Sequence, residues 1–532
     1  MAALCSKLSE LLAKIVGKPH DGSLQSSHPE AAAEKVLPRT SDPPKETSEK
    51  TLPPVTKATP AENHRVNERD PYFFQIGFDF GTSSSKAVIR DINTNRAWAY
   101  AVPFATGHSN NFLIPSVVIY NNGIFERHHD TNILYPERGL YHLKMAMEKV
   151  ALEKLDAPIF SEYNKILGPN SPYRPIQIAR LASIFFLATA FSEIIKSIIK
   201  KFPDFGGNQE DQIAINMAIP VANISDNKIH SFFETTLNIA WHLAKGLDMC
   251  QQRLSVNELL QRMETLSSIF KGQKTNDICH VYPEVSANVQ AFIRSPASSP
   301  DIRTIYFFSD IGAGTVDQSV FTYAGRKDER LLNYFAANVF PRGSSQIERA
   351  ACGDVINEDN LEYWRKEKER KSNAPKLNYA KMKVGEALKS DSDKTLRGTL
   401  KCLPHGCDGI TPGNTLKEHM KFIFSGGGYT EVPYQRAVID AYKKALNLDR
   451  DPILTSIARP TDLDIPIGKE SWINRLYVAY GLSFLFQELA KNTFPSENEL
   501  DNSYEISTLQ VNYCTCGGRN KNCVKCYGRG II

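Results

Sequence analysis

The chain has little charge of one sign to spare: 63 Lys and Arg stand against 59 Asp and Glu over 532 residues, a formal balance of +4. That balance argues against a dedicated nucleic-acid binder, which concentrates basic charge on one face. Long apolar runs are scarce too. The longest, Leu181 to Phe191, is too short to span a bilayer and is followed by Glu193 and Lys196. Met1 to Lys18 lacks the succession of basic, apolar and small-residue regions that marks a secretory signal. The expectation is a cytoplasmic, reducing setting without a membrane span. There, four cysteines crowded into the last nineteen residues suggest metal more than disulfide.

What is present supports folding. Hydrophobic residues make up 42% and aromatics 10%, which excludes global disorder, and the length predicts two to four domains at roughly 150 residues each. Residues 1–70 read differently. Leu8, Leu11, Leu12 and Ile15 share one helical face, which either docks on a partner or covers the protein's own surface. From about Asp21 to Arg69 the chain is rich in Pro, Ser, Glu, Lys and Thr, the composition of a disordered linker.

Order is predicted from Tyr72. Strand patterns occupy 72–104 in a hairpin arrangement, then Phe112 to Tyr120, Gln212 to Ala218, 302–323 and Lys421 to Ser425. Helical patterns fall at about 139–155, 175–202, 226–245, 254–271 and Leu476 to Lys491. The charged run at 357–373 reads as the solvated face of a helix.

Two acidic, glycine-punctuated segments carry the chemistry. The first is Ile76-Gly77-Phe78-Asp79-Phe80-Gly81-Thr82-Ser83-Ser84-Ser85-Lys86, and the second is Phe308-Ser309-Asp310-Ile311-Gly312-Ala313-Gly314-Thr315-Val316-Asp317. Each ends an apolar strand in an aspartate and turns on small residues. Such turns let backbone N–H groups approach phosphate oxygens, and the aspartates suit Mg²⁺ held through retained waters. A lone aspartate before glycine is ordinarily a turn residue or N-cap; the matched pair is far more specific.

With Tyr282-Pro283-Glu284-Val285-Ser286-Ala287, Ser425-Gly426-Gly427-Gly428 and Val478-Ala479-Tyr480-Gly481, these segments stand in an order that resembles the nucleotide-binding domain of the seventy-kilodalton heat-shock chaperones (DnaK-like), within the actin-like ATPase superfamily. The resemblance covers about residues 72–490. It implies an α/β fold of two lobes, each a five-stranded mixed sheet with helices, at 71–300 and 301–492 with an insertion near 350–415, closing on Mg-ATP.

Under it Asp79, Asp310 and Asp317 hold magnesium, and Asp79, Lys144, Glu284, Asp310 and Thr315 form the catalytic set. Gly81, Thr82, Ser83, Ser84, Gly312, Ala313, Gly314, Thr315, Asp317 and Gly343 surround the phosphates, while Lys381, Gly426, Gly427 and Gly428 serve the adenosine. Glu284 would orient the attacking water and Lys144 would stabilise charge on the γ-phosphate. The glycine triplet could alternatively be a structural close approach of strand and helix. Two departures stand out. Tyr429-Thr430-Glu431 lies where the chaperones offer a stacking arginine, and Arg475, Leu476 and Tyr477 stand just before the last landmark, where the chaperones carry an acid.

The C-terminal stretch, 493–532, holds Cys514, Cys516, Cys523 and Cys526, two close pairs suited to tetrahedral Zn²⁺. Its second half resembles one cysteine-rich repeat of the J-domain co-chaperones. Cys402, His405 and Cys407 have ligand-like spacing, with a turn of buried thiols as the ordinary reading. The resulting expectation is a chaperone-like ATPase without the usual peptide-binding domain, relaying its ATP or ADP state to a protein partner through its tails. The rivals are a non-hydrolysing nucleotide-sensing scaffold, an actin-like filament ATPase and a carbohydrate kinase.

Overall fold

The computed structural model describes residues 69–103, 111–219, 227–246, 253–269, 278–295, 298, 301–324, 330–402, 420–428, 431–465 and 470–493. They form a mixed α/β protein whose two larger sheets share one strand order. In the first, β1 (Phe73–Asp79), β2 (Ser84–Asp91) and β3 (Arg96–Ala99) make an antiparallel meander. β4 (Ile114–Pro115) pairs with the start of β2. A small antiparallel sheet runs β7 (Gly139–Leu140), β5 (Val118–Asn121), β6 (Ile124–Arg127), β9 (Arg253–Ser255). β8 (Gln212–Ile219) joins β1 in parallel, and β10 (Cys279–Pro283) joins β8.

The second large sheet repeats the plan. β11 (Asp301–Ile311), β12 (Val316–Ala324) and β13 (Leu331–Phe340) form the meander. β14 (Met420–Ser425) joins β11 in parallel and β15 (Ile453–Leu454) joins β14. Each meander gains one further parallel strand on its far side: β16 (Leu463–Asp464) beside β3 and β17 (Lys491–Thr493) beside β13. The expected five strands per sheet are thus extended in both.

Helices α1 (Leu143–Ala151), α2 (Pro158–Leu167), α3 (Pro175–Lys201), α4 (Asn227–Gly246) and α5 (Val256–Ile269) cover the first sheet's half, and α6 (Glu284–Ile293) follows β10. α7 (Ser345–Cys352), α8 (Glu358–Glu369), α9 (Pro375–Cys402) and α10 (Val432–Leu446) belong to the second, and α11 (Tyr477–Leu482) precedes β17. Phe74 to Asp79 are all buried, as a strand covered on both faces requires. α3 is long and apolar enough, by length and composition, to cross a membrane, but 83% of that window is buried inside the protein. A helix apolar all round is stable there as a core element, and its Phe191 meets Phe78 of β1 and Trp241 of α4 edge to face.

α6 and α11 lie between the two sheets. Ala287 and Ala291 of α6 join the apolar cluster containing Val88 and Ala218, whereas Val285, Val289 and Phe292 join the one containing Tyr306 and Phe308. The helices meet at Gly481, where a Cβ would stand 1.8 Å from the Ala287 carbonyl oxygen. One helical expectation fails here. The apolar run Leu476 to Lys491 is helical only over Tyr477–Leu482. The chain then makes a short 3-10 turn at Phe486–Glu488 and enters β17. Phe484, Leu489 and Ala490 are buried while Phe486 to Glu488 are exposed, so the run follows its tertiary neighbours and not a helical period.

Candidate functional site

The two acidic turns face each other. Gly314 has no room for a side chain: a Cβ would lie 2.5 Å from the Thr82 methyl carbon and 2.9 Å from its hydroxyl. Cross-strand register then sets the charges. Asp79 ends β1 opposite Lys86 on β2, and the pair bonds at 2.7 Å. In the other sheet Asp310 lies opposite Asp317. Thr315 Oγ1 donates to Asp317 Oδ2 at 2.9 Å, tying the turn to its acid.

α1 and α6 supply the remaining groups. Lys144 in the first turn of α1 makes a direct ion pair with Glu284, the first residue of α6. One helical turn on, Asn288 donates to Asp310 Oδ2 at 2.8 Å and to Ser425 Oγ at 3.0 Å. The Gly426 backbone closes over the same aspartate. Its φ is +85°, and a Cβ would come within 2.2 Å of Asp310 Oδ1, so only glycine fits.

Gly81 N donates to Asp79 O at 3.0 Å and Gly312 N to Thr315 O at 3.0 Å, closing the two turns. Gly343 N reaches Gly314 O at 3.2 Å, Ser345 N reaches Ala313 O at 2.8 Å, and Gly428 N reaches Ile311 O at 2.8 Å. Ser83 O accepts from Ser116 N, and Ser84 pairs with Pro115. Among the described residues the N–H groups of Thr82, Ser83, Ala313, Gly314 and Thr315 have no protein acceptor. Small-residue turns that leave backbone N–H groups without a protein acceptor are of the kind that can receive an anion.

The acids and lysines of the site act on one another: Asp79, Glu284, Asp310 and Asp317 on each other and on Lys86 and Lys144. Burial, followed by the charges of Glu284 and Asp79, pushes the Asp310 carboxyl from 3.8 up to about 7, against the pull of Lys86 and Asn288. Burial and Glu284 hold Asp317 well above the usual carboxylate range. Burial alone would lower Lys144, but Glu284, Asp79 and Asp317 more than offset it and hold the lysine above its ordinary value. The buried oxygens Asp79 Oδ1 and Asp317 Oδ1 accept no hydrogen bond, which carboxylates avoid unless something else binds them. Among the described residues no three His, Cys, Asp or Glu side chains are grouped to grip an ion directly. The buried carboxylate oxygens that accept no hydrogen bond are of the type that suits Mg²⁺ held through its waters.

Lys381 is held elsewhere, in an ion pair of 2.8 Å with Glu431, whose N–H donates to Gly428 O. It stands beside the glycine triplet and away from the acids. The sequence reading gave no role to Lys86, Asn288, Ser425 or Arg475. Lys86 closes the quoted first motif, and strand register with Asp79 is the signal that finds it. Asn288 is one helical turn after Glu284, a spacing that puts both on one face.

A second set of polar contacts joins the two halves. Glu348 of α7 accepts from Tyr135 at 2.8 Å and pairs with Lys368 of α8 at 2.5 Å, all three buried. Arg349 forks onto Glu162 of α2 at 3.0 and 3.1 Å. Arg365 bonds Glu362 and the Asn132 carbonyl, and Leu134 N donates to Glu362. The charged run around α8 is thus only partly a solvated face, because its inner side bridges to the other half. Cys514, Cys516, Cys523, Cys526, His405, Cys407, the Cys402 side chain and the N-terminal amphipathic segment lie outside the described residues.

No protein-family description matches this sequence, and no curated protein matches it.

Proposed function

We propose that the protein is a chaperone-like ATPase of the actin-like superfamily that closes on Mg-ATP between its two duplicated halves. The repeated strand order supports that two-lobed reading. The observation that carries it is the apposition of the two turns, with Gly314 against Thr82 and five open N–H groups between them. The duplication brings one acidic strand end from each half to the same place, which one phosphate clamp requires.

In this reading Thr82, Ser83, Ala313, Gly314 and Thr315 bind phosphate oxygens through their backbone. Asp79, Asp310 and Asp317 hold the water shell of a magnesium ion, which when bound supplies charge neutralisation at the phosphates. Lys144 places positive charge beside the terminal phosphate, and Glu284 orients the attacking water. Phosphoryl transfer calls for little beyond such positioning and charge. A cytoplasmic setting and a partner reached through the tails, with Zn²⁺ on Cys514, Cys516, Cys523 and Cys526, complete the proposal.

One observation favours slow turnover or pure sensing. The direct Lys144–Glu284 ion pair occupies both groups that hydrolysis needs free. Isothermal titration with Mg-ATP and ADP tests the binding claim, and phosphate release by the parent against Asp79→Ala tests turnover. Binding without release beyond the Asp79→Ala background would leave the sensing scaffold; absence of binding would end both readings.

A further inference from the structure

Beyond the acids, the glycine triplet has one cationic neighbour that no ion pair explains. Arg475 ends the 3-10 turn Glu470–Arg475 just ahead of α11. Its guanidinium lies against the backbone of Gly427, where a Cβ would be 3.2 Å from Nε and 3.4 Å from Cζ. One face is covered by the Trp472 ring at 4.3 Å. Trp472 in turn meets Phe112 of the other half edge-on at 5.7 Å. The guanidinium is fixed in place by this stack.

Its hydrogen-bonding edge is not used. Among the described residues Arg475 makes no ion pair within 4.0 Å and no hydrogen bond. Burial lowers its pKa below the ordinary value, and the charge of Glu369 offsets this only in part. A partly buried cation without an ion partner is costly in a resting protein, and an arriving anion offsets that cost. Lys381, the other cation expected beside this turn, is already neutralised by Glu431.

Position says which part of a ligand it meets. Gly426 touches Asp310 Oδ1, and Gly427, the next residue, touches Arg475. The guanidinium therefore stands one residue further along the turn than the magnesium acids. The geometry points to Arg475 as a ligand-binding residue that grips the inner phosphate of the nucleotide through its open N–H edge. This rests on the Mg-nucleotide reading above.

The test measures affinities of the parent, Arg475→Met and Arg475→Lys for Mg-ATP, Mg-GTP and magnesium tripolyphosphate by titration calorimetry. Met keeps a flexible apolar stem against Trp472 and Gly427, and a thermal melt within a few degrees of the parent's shows that the fold is intact. Arg475→Met is expected to bind all three about 10- to 100-fold more weakly, the range for one lost charge-assisted hydrogen-bond set. Arg475→Lys, which keeps charge without the planar fork, should recover part of that loss. Unchanged affinities in Arg475→Met, or a loss for ATP that spares GTP and tripolyphosphate, would overturn the assignment. The last outcome would make Arg475 a base platform. A parent that binds none of the three would instead refute the nucleotide reading on which the assignment depends, before any variant is compared.

Discussion

The substitution Asp310→Asn should stabilise the ligand-free protein and weaken its response to ligand. The carboxyl is pushed from 3.8 up to about 7 in the folded chain by burial and by Glu284 and Asp79. At about 1.4 kcal/mol per pH unit of displacement, ionising it costs on the order of 4 kcal/mol as a ceiling. The sign follows from the direction. The folded state holds this proton more tightly than the unfolded chain, so its contribution is fully present below 3.8 and is lost as pH rises to about 7. The new carboxamide would keep an oxygen for the Asn288 side chain but would carry no charge. The variant should therefore outlast the parent in urea or heat by a margin that opens between about pH 4 and about pH 8. Mg-ATP should raise the parent's melting temperature strongly and the variant's little. A variant no more stable than the parent at about pH 8, or a margin that does not depend on pH, would refute the electrostatic reasoning.

Other changes probe separate parts of the site. Gly314→Ala should push Thr82 away and lower Mg-ATP affinity about 10-fold or more, and adding Thr82→Gly should restore much of it; calorimetry that finds no rescue would mean the turns do not abut. Lys144→Ala should cut phosphate release about 100-fold with a much smaller effect on ATP binding, read from single-turnover rates. Glu348→Ala strands Lys368 and Tyr135, so it should cost about 3 kcal/mol in urea unfolding and speed release of a fluorescent ADP analogue; unchanged release would separate those contacts from closure. Cys523→Ser should remove zinc from the purified chain, as measured by atomic absorption, while leaving nucleotide binding intact.

The acidic turns were legible because their demands are local. An apolar strand, an aspartate and small residues within a dozen positions define each turn, and chain order pairs them. Lys86 was in view but unread, because its role comes from lying across the strand from Asp79. Arg365 and Lys368 show the opposite limit. Eight charged residues in one helix suggest solvent, and only the other half's Asn132 and Tyr135, more than two hundred positions away, reveal which ones turn inward. The stretch after Leu482 misled for a related reason. Phe484, Leu489 and Ala490 are buried by neighbouring elements while Phe486 is exposed, so apolar content there carries no period.

The meeting of Gly481 with Ala287 has a mechanical corollary. The same short helix is also pressed onto β1 at Gly77, where a Cβ would come 2.0 Å from the Ala479 carbonyl oxygen. A methyl group added at 481 would therefore act as a wedge between backbones clamped from both sides, far in sequence from the acids.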